Sequence, residues 1–428
     1  MKRARSANWL IALISLTSGA CGRGPAHAVA PAKTLTQPSG LIVHEWGTFT
    51  SIQDPTGVAL GGMHHDDAPL PSFVVQRGFA VAATRAASGV AHMEEPTQRM
   101  ETPVLYLHSA RKLAVSVRVN FPNGLMTQWY PDCSEVLPAA KAVEHVAGGS
   151  LKWQVDVDPA LDHALAPGVA TDSIWAPSRQ VQVASLRARL GKADQVEKFL
   201  FYRGVGKFDT PIVVQAPDAA ALHVSNRAPE AVPAAFLLSV TDADHAAFAP
   251  LGRLVGRTTM HVPLPTQFLP MATYLAQARP AIAQVLQDSG LYADEAWALV
   301  NTWSKSYFQT PGTRVLFVLP QPWTDALLPL TVVPRPDKTV RTLIGRIEVL
   351  TAPQLAQLTG QVQAAFAAIG PPATDGSSPE TLAAANLAAA LQPYAESKLL
   401  AVCPLLPAHQ QAWCQQALGL AHQGWGAL

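Results

Sequence analysis

The feature that most constrains the fold is a series of short strand patterns between Leu41 and about Leu254. Apolar and polar residues alternate in PVLYLHSARKLAVSVRVNFPNGLMTQWYP, where Pro-Asn-Gly at 122–124 supplies a turn, and again in SLKWQVDVDP. Further apolar runs follow at a spacing of roughly 8–12 residues, which is typical of a β-sandwich.

The pattern changes after Gly256. TQFLPMATYLAQARPAIAQVLQDSG and YADEAWALVNTWSKSYF have apolar residues at helical spacing, and Asp294 and Glu295 fall in the first turn of the second helix. TRVLFVLP, LPLTVVP and VRTLIGRIEVL then predict strands, and TAPQLAQLTGQVQAAFAAIG predicts a helix. We therefore predict an α+β chain, with a β-sandwich-like domain over 41–255, an α/β domain over 256–370 and a helical tail over 371–428.

The charge pattern argues against nucleic-acid binding. The 428 residues are 49% hydrophobic and 14% charged, and the 31 Lys and Arg residues leave a formal net charge of only +1. A nucleic-acid-binding protein normally carries a basic patch or stripe, and no long basic run is present.

The N-terminus predicts export. Lys2, Arg3 and Arg5 precede a short apolar stretch from Trp9 to Leu16, which is too short to span a bilayer. We predict a signal peptide over 1–28 and a Pro- and Thr-rich linker over 29–40. Processing at Cys21 would give a membrane-anchored lipoprotein, whereas cleavage after Ala28 would release a soluble periplasmic or secreted protein.

The cysteines fit an oxidising compartment. Cys403 and Cys414 flank ten residues near the C-terminus, so we expect a disulfide between two short helices. Cys133 is then left over, either as a reactive thiol or, as is more common for a lone cysteine, as a small buried residue. No cysteine or histidine spacing of the zinc-finger type occurs.

The richest polar cluster lies between residues 44 and 108. Imidazole and carboxylate are ligands for zinc and related divalent metals, and loops at one end of a sandwich bring such groups together. We predict a metal-dependent activity, hydrolytic if enzymatic, with Glu45 as general base to a metal-activated water. The cluster also contains His92, Glu94, Glu95 and His108. The predicted ligands are His44, His64, His65, Asp66, Asp67 and Glu101.

Strand geometry limits this prediction, because His44 and Glu45 should point to opposite faces. A histidine at this position also fits a purely structural hydrogen bond, and His-His-Asp-Asp in a loop is commonly a solvated surface.

Two other interpretations remain open. Met63-His64, His92-Met93 and Met260-His261 place thioether beside imidazole, a combination that selects copper, so copper is the second choice of metal after zinc. Alternatively, the protein is a non-catalytic envelope module that binds glycan on an aromatic surface. Such residues more often anchor a core, and alternation around Trp153 favours that role here. The candidate aromatic residues are Trp46, Trp129, Trp153 and Trp175, with Tyr106, Tyr130 and Tyr202.

A second polar cluster lies in the C-terminal half. Arg346 and Glu348 are two residues apart on a strand and should share a face. We expect them to join Arg314, Asp325 and Arg341 in an ion-pair network, in preference to clamping an anion. No GxSxG, HExxH, Walker A or dinucleotide-binding glycine motif is present, which disfavours the corresponding enzyme classes.

Several segments resemble a widespread family of exported bacterial proteins. They are HEWGTFTS (44–51), RMETPVLYLHS (99–109), FPNGLMTQWYP (121–131), EKFLFYRGVG (197–206) and the strand succession of 313–350. The resemblance implies an exported protein and brings no known activity, ligand or catalytic residue with it.

Overall fold

The computed structural model of the protein describes most of the chain from Pro38 to His422. The described ranges are 38–63, 69–77, 80–81, 84–85, 91–92, 96–139, 142–143, 145–188, 194–369 and 378–422. The predicted signal peptide, Cys21 and most of the predicted 29–40 linker lie outside them, as do residues 371–377 at the start of the predicted helical tail.

Strands make up most of the first two thirds of the chain. In chain order they are β1 (Leu41–Gln53), β2 (Val75–Gln76), β3 (Ala80–Val81), β4 (Thr84–Arg85), β5 (Ala91–His92), β6 (Gln98–Ser109), β7 (Leu113–Phe121), β8 (Gly124–Tyr130), β9 (Glu135–Leu137), β10 (Ala142–Val143), β11 (Gly149–Asp158), β12 (Ser185–Ala188), β13 (Gln195–Glu197), β14 (Phe199–Gly206), β15 (Ile212–Gln215), β16 (Ala221–Asn226), β17 (Val232–Val240), β18 (His245–Leu254), β19 (Thr258–Pro263), β20 (Leu269–Pro270), β21 (Gly312–Val318), β22 (Leu330–Val333) and β23 (Lys338–Val349).

The longer helices follow the strand-rich part. The helices are α1 (Ala176–Arg179), α2 (Met271–Asp288), α3 (Ala293–Thr302), α4 (Gln321–Leu327), α5 (Ala352–Ala367), α6 (Pro379–Ala390), α7 (Ala395–Val402) and α8 (Ala408–His422), with 3-10 turns at His163–Leu165 and Cys403–Leu405. No helix within the described ranges is both long enough and apolar enough to cross a membrane.

A sheet of ten strands forms the centre of the fold. Its order is β2-β8-β14-β6-β1-β23-β21-β17-β18-β20. β1 pairs with β23 in parallel, and the other neighbours run antiparallel. β1 therefore lies in the middle of the sheet, where both of its edges are hydrogen-bonded and all but one of its residues are buried.

Each face of this sheet is covered by a different layer. Val43 and Leu105 on one face share a core with Val117 and Trp153, which belong to a second, six-stranded sheet. Five of its strands lie in the order β13-β12-β11-β7-β22, and the sixth, β9, pairs with β11. On the opposite face, Trp46 shares a core with residues of α2 and α3. The molecule is thus a β-sandwich with helices on its outer side, which confirms the predicted α+β class.

The central sheet crosses the predicted domain boundary at 255/256. β1, β6, β8 and β14 come from the predicted sandwich segment, whereas β21 and β23 come from the predicted α/β segment, and Pro38–Leu428 clusters as one compact unit. Two patterns that look separate along the sequence are therefore one sheet in space.

The C-terminal helices form a separate small core. α5 belongs to it, since Val362 packs with Leu399 and Trp413, although the sequence pattern assigned α5 to the preceding segment. Thr351 and Gln354 cap the start of α5 reciprocally. The backbone N–H of Gln354 donates to the Thr351 hydroxyl, and the backbone N–H of Thr351 donates to the side-chain oxygen of Gln354.

The predicted disulfide is present in this helical core. Cys403 and Cys414 are bonded, and both are buried. Cys133 is a free thiol and is only half-buried.

Candidate metal centre

His44 lies on β1 with its side chain toward the helical layer. Successive strand side chains alternate between faces, so His44 and Trp46 point toward α3 while Val43 and Glu45 point into the sandwich. The predicted divergence of His44 and Glu45 is confirmed. The imidazole is fully buried.

His108 reaches the same place from the neighbouring strand. His44 is paired with Tyr106 on β6, and His108 lies two residues further along that strand, hence on the same face. The two imidazole ring centroids are 5.0 Å apart. The His108 side chain is 14% exposed, so this end of the cluster is open to solvent.

Glu295 on α3 bridges the two histidines. Its Oε2 lies 2.7 Å from Nδ1 of His44, and its Oε1 lies 2.8 Å from Nε2 of His108. Oε2 also accepts the backbone N–H of Tyr292 at 2.7 Å, which places the carboxylate where a helix start favours negative charge. The carboxylate is fully buried.

The surroundings keep this carboxylate charged. Burial alone would raise the pKa of Glu295, but hydrogen bonds from His108 and His44, attraction to His44 and the Tyr292 N–H together lower it below its ordinary value. The site therefore holds a negatively charged carboxylate between two imidazole nitrogens.

One nitrogen of the site has no hydrogen-bond partner among the residues that the structure describes. It is Nε2 of His44, which is buried, and such a group is costly unless something binds it. The Tyr292 ring lies over the cluster, with its centroid 4.5 Å from that of His44 and 5.0 Å from that of His108. Tyr292 itself is 43% exposed, so it forms the outer wall.

The three groups have the spacing of a metal site. One ligand atom each from His44, His108 and Glu295 all lie within 4.8 Å of one another. Two imidazoles and a carboxylate are a recognised zinc ligand set, and three protein ligands leave a fourth coordination position open. The donor chemistry, the burial and the orphaned nitrogen all fit a divalent ion.

Of the two predicted ligands that the structure describes, His44 and Glu101, only His44 lies in this cluster. His44 is there, whereas His64, His65, Asp66 and Asp67 lie outside the described residues, and so do Met93, Glu94 and Glu95. A contribution from the 64–67 loop stays a prediction.

Glu101 belongs to a different buried network. It pairs with Thr48, which is four residues and about 13 Å along β1 from His44. Its carboxylate forms an ion pair with Arg99 and accepts the hydroxyl groups of Thr50 at 2.9 Å and Tyr307 at 2.7 Å.

Glu45 is held on the sandwich side of the sheet. Nε of Arg341 donates to it at 2.5 Å, and the Tyr202 hydroxyl donates to its other oxygen. Burial, and then the charge of Glu45, raise the pKa of Tyr202 far above its ordinary value, so the phenol stays a protonated donor. In this position Glu45 lies across the sheet from His44 and does not face the cluster.

His108 and Glu295 are the residues that the predicted ligand set omitted. His108 ends the RMETPVLYLHS pattern, and its even spacing from Tyr106 is compatible with a shared face. Glu295 looked like an ordinary first-turn acid of a helix. The sequence does contain a histidine at the end of a strand pattern and a glutamate at a helix start. Their spacing along the chain, however, gives no indication that the two side chains meet.

The residues of the second predicted cluster form ion pairs, but in two separate groups and not in one network. Glu348 accepts Nε of Arg346 at 2.6 Å and lies 2.8 Å from Nε of Arg314, which links β23 to β21 as expected. Arg346 also lies over the Tyr307 ring, 4.3 Å from its centroid. Arg341 instead contacts Asp325 at 2.9 Å and so links β23 to α4.

The four tryptophans considered for glycan stacking are in the core. Trp46 and Trp153 are fully buried, and Trp175 and Trp129 are only 2% and 5% exposed. Stacking a sugar needs an accessible ring face, which these side chains do not present.

Comparison with known proteins does not assign this chain to a family. No protein-family model matches this chain, and no curated protein matches it. Among solved structures, it is similar to the yeast delta-COP-I mu-homology domain in complex with a Dsl1 WxWxV peptide (10% identity, TM-score 0.24, covering 74% of this chain and 98% of that one) and to the yeast delta-COP-I mu-homology domain (9% identity, TM-score 0.25, covering 74% and 97%). Scores this low support no argument about fold or function.

Proposed function

We propose that this protein binds a divalent metal ion, zinc in the first place, through His44, His108 and Glu295. The observation that carries the proposal is a buried, charged carboxylate held between two imidazoles, with three ligand atoms within 4.8 Å. Zinc is preferred over copper because the three groups supply nitrogen and oxygen but no sulfur.

If the protein is an enzyme, hydrolysis is the reaction class that this ligand set favours. A bound zinc ion with an open coordination position activates water near neutral pH and polarises a carbonyl or phosphoryl group. The exposed edge of His108 gives access to the site, and Tyr292 lines that access. Glu45 has no part in this proposal because its carboxylate is engaged by Arg341 on the other face.

The proposal places the protein outside the cytoplasm. It rests on the N-terminal sequence pattern together with the Cys403–Cys414 disulfide, since disulfides persist in oxidising compartments.

Metal stoichiometry tests the proposal directly. The purified protein should be stripped with a chelator, dialysed against zinc and analysed for metal per chain. We expect one zinc per wild-type chain and a substoichiometric amount in His44→Gln, His108→Gln and Glu295→Gln, because each exchange removes one ligand.

A matched control separates this site from adventitious binding. His245 is an exposed histidine beside an aspartate, Asp242, so His245→Gln makes the same exchange outside the cluster and should retain the full zinc content. Wild-type protein that takes up no zinc, or cluster variants that bind as much as wild type, would overturn the proposal. In either case, the three side chains would form only a hydrogen-bonded link between sheet and helix.

A further inference from the structure

An apolar cavity of about 210 Å³ lies on the sandwich side of the central sheet, away from His44. Phe49, Phe317 and Ile347 from three adjacent strands form its floor. Trp323 and Leu327 of α4 and Phe208 form its walls.

Local structure explains why a space is left here. Gly345 has no side chain, and a Cβ at that position would lie 2.1 Å from the Phe317 ring, so this ring lies directly against the β23 backbone. On α4, Trp323, Ala326 and Leu327 are spaced i, i+3 and i+4 and share one helix face, which is turned to the cavity. α4 therefore covers the opening of the cavity with the large side chains of Trp323 and Leu327 and the small side chain of Ala326.

Three polar side chains of the lining, Gln98, Thr210 and Arg346, are already engaged in other contacts. The Gln98 side chain donates to the Phe208 carbonyl at 3.3 Å, and the Thr210 hydroxyl donates to the Ile212 carbonyl at 3.0 Å. Arg346 contributes to the lining, but its guanidinium is bound to Glu348 and lies over Tyr307. The exposed carboxylate of Asp209 at the rim is the remaining charged group.

We infer that this cavity binds an uncharged apolar molecule, of about the size of an eight-carbon chain or a substituted benzene ring. Apolar cavities of about 150 Å³ stay dry and take up benzene, so a larger cavity with apolar walls suits a ligand of this class. A carboxylate head group would meet Asp209 at the rim, so neutral ligands should be preferred over fatty-acid anions. The inference is independent of the proposed metal centre.

Calorimetric titration of the full-length protein with 1-octanol and with sodium octanoate tests both parts of the inference. We expect saturable binding of one octanol per chain, and octanoate binding at least about tenfold weaker. Ala326→Trp fills the opening and should weaken octanol binding at least tenfold. Ala385→Trp makes the same exchange at an exposed position of α6 and should leave binding unchanged.

A second measurement does not depend on the cavity-filling variant. Trp323 lines the cavity, so 8-bromo-1-octanol should quench part of the tryptophan fluorescence, and Trp323→Phe should remove that part. The inference is overturned if octanol gives no saturable heat, if octanoate binds equally well, if Ala326→Trp folds and binds like wild type, or if quenching is unchanged in Trp323→Phe.

Discussion

Neighbouring side chains in β1 occupy different chemical environments because a strand sends successive residues to opposite faces. The imidazole of His44 meets Glu295 from a helix, whereas the carboxylate of Glu45 meets Arg341 from the adjacent strand. Both side chains are fully buried, so each needs a partner on its own side of the sheet. Two polar side chains that are adjacent in sequence are therefore separated by the thickness of a sheet.

The surroundings of Cys133 likewise determine the acidity of its thiol. Burial, and then the nearby charge of Asp132, raise the pKa of Cys133 from the ordinary 9.0 to about 12, although backbone hydrogen bonds and Arg77 oppose the shift. Only the thiolate is nucleophilic, so the native thiol should be unreactive near neutral pH.

Alkylation kinetics check this expectation. In a Cys21→Ser background, iodoacetamide at pH 8 should modify native Cys133 about a thousandfold more slowly than the same thiol in urea, because each pKa unit lowers the thiolate fraction about tenfold. The native rate should continue to rise with pH beyond 9. A rate that levels off near pH 9 would contradict the raised pKa.

At the scale of elements, Glu295 joins the helical layer to the sheet. It contacts β1 through His44 and β6 through His108, and it also caps the backbone at the start of α3. These contacts join protein groups directly, so the link has a stability of its own.

Removing the Glu295 carboxylate should therefore destabilise the protein even in the presence of a chelator. We expect Glu295→Ala to lower the free energy of unfolding by about 3 kcal/mol, because it leaves two imidazoles and a helix-start N–H without their acceptor. Urea unfolding in chelator measures this change.

Glu380→Ala is the matched control, since Glu380 is an exposed acid in the first turn of α6. The control exchange should lower the free energy of unfolding by less than about 1 kcal/mol. Equal costs for the two variants would show that the link between α3 and the sheet contributes nothing beyond an ordinary helix start.

At the scale of the whole molecule, the parallel pairing of β1 with β23 joins the two halves of the central sheet. The pairing extends from Ile42–Lys338 to Gln53–Val349. β21 and β17 continue the sheet from β23, so strands from both predicted segments depend on one another for their backbone hydrogen bonds. The sandwich core contains Val43 and Leu105 together with Val315 and Ile347.

A fragment that ends at residue 255 should therefore not fold alone. Without β21 and β23 it exposes one edge of β1 and much of both apolar faces of the central sheet. We expect fragment 38–255 to lack a cooperative unfolding transition by circular dichroism, and co-refolding with fragment 256–428 to restore one. A sharp transition in the isolated fragment would show that it is an independent domain.

Local periodicity accounts for what could be predicted without the structure. The alternation in SLKWQVDVDP predicted β11, and the helical spacing of apolar residues predicted α2 and α3. The opposite faces of His44 and Glu45 followed from strand geometry alone, and the short spacing of Cys403 and Cys414 pointed to their disulfide. All of these depend on residues close together in the chain.

The tertiary structure decided which of these elements meet. Glu295 is 251 residues from His44 and 187 from His108, and nothing in the local pattern of α3 indicates which strands it will face. The period of an apolar pattern specifies which face of an element is buried but not which partner covers it, because many partners bury the same face equally well. The α+β class was therefore contained in the sequence pattern, whereas the shared ten-stranded sheet and the His44–His108–Glu295 cluster arose only from long-range packing.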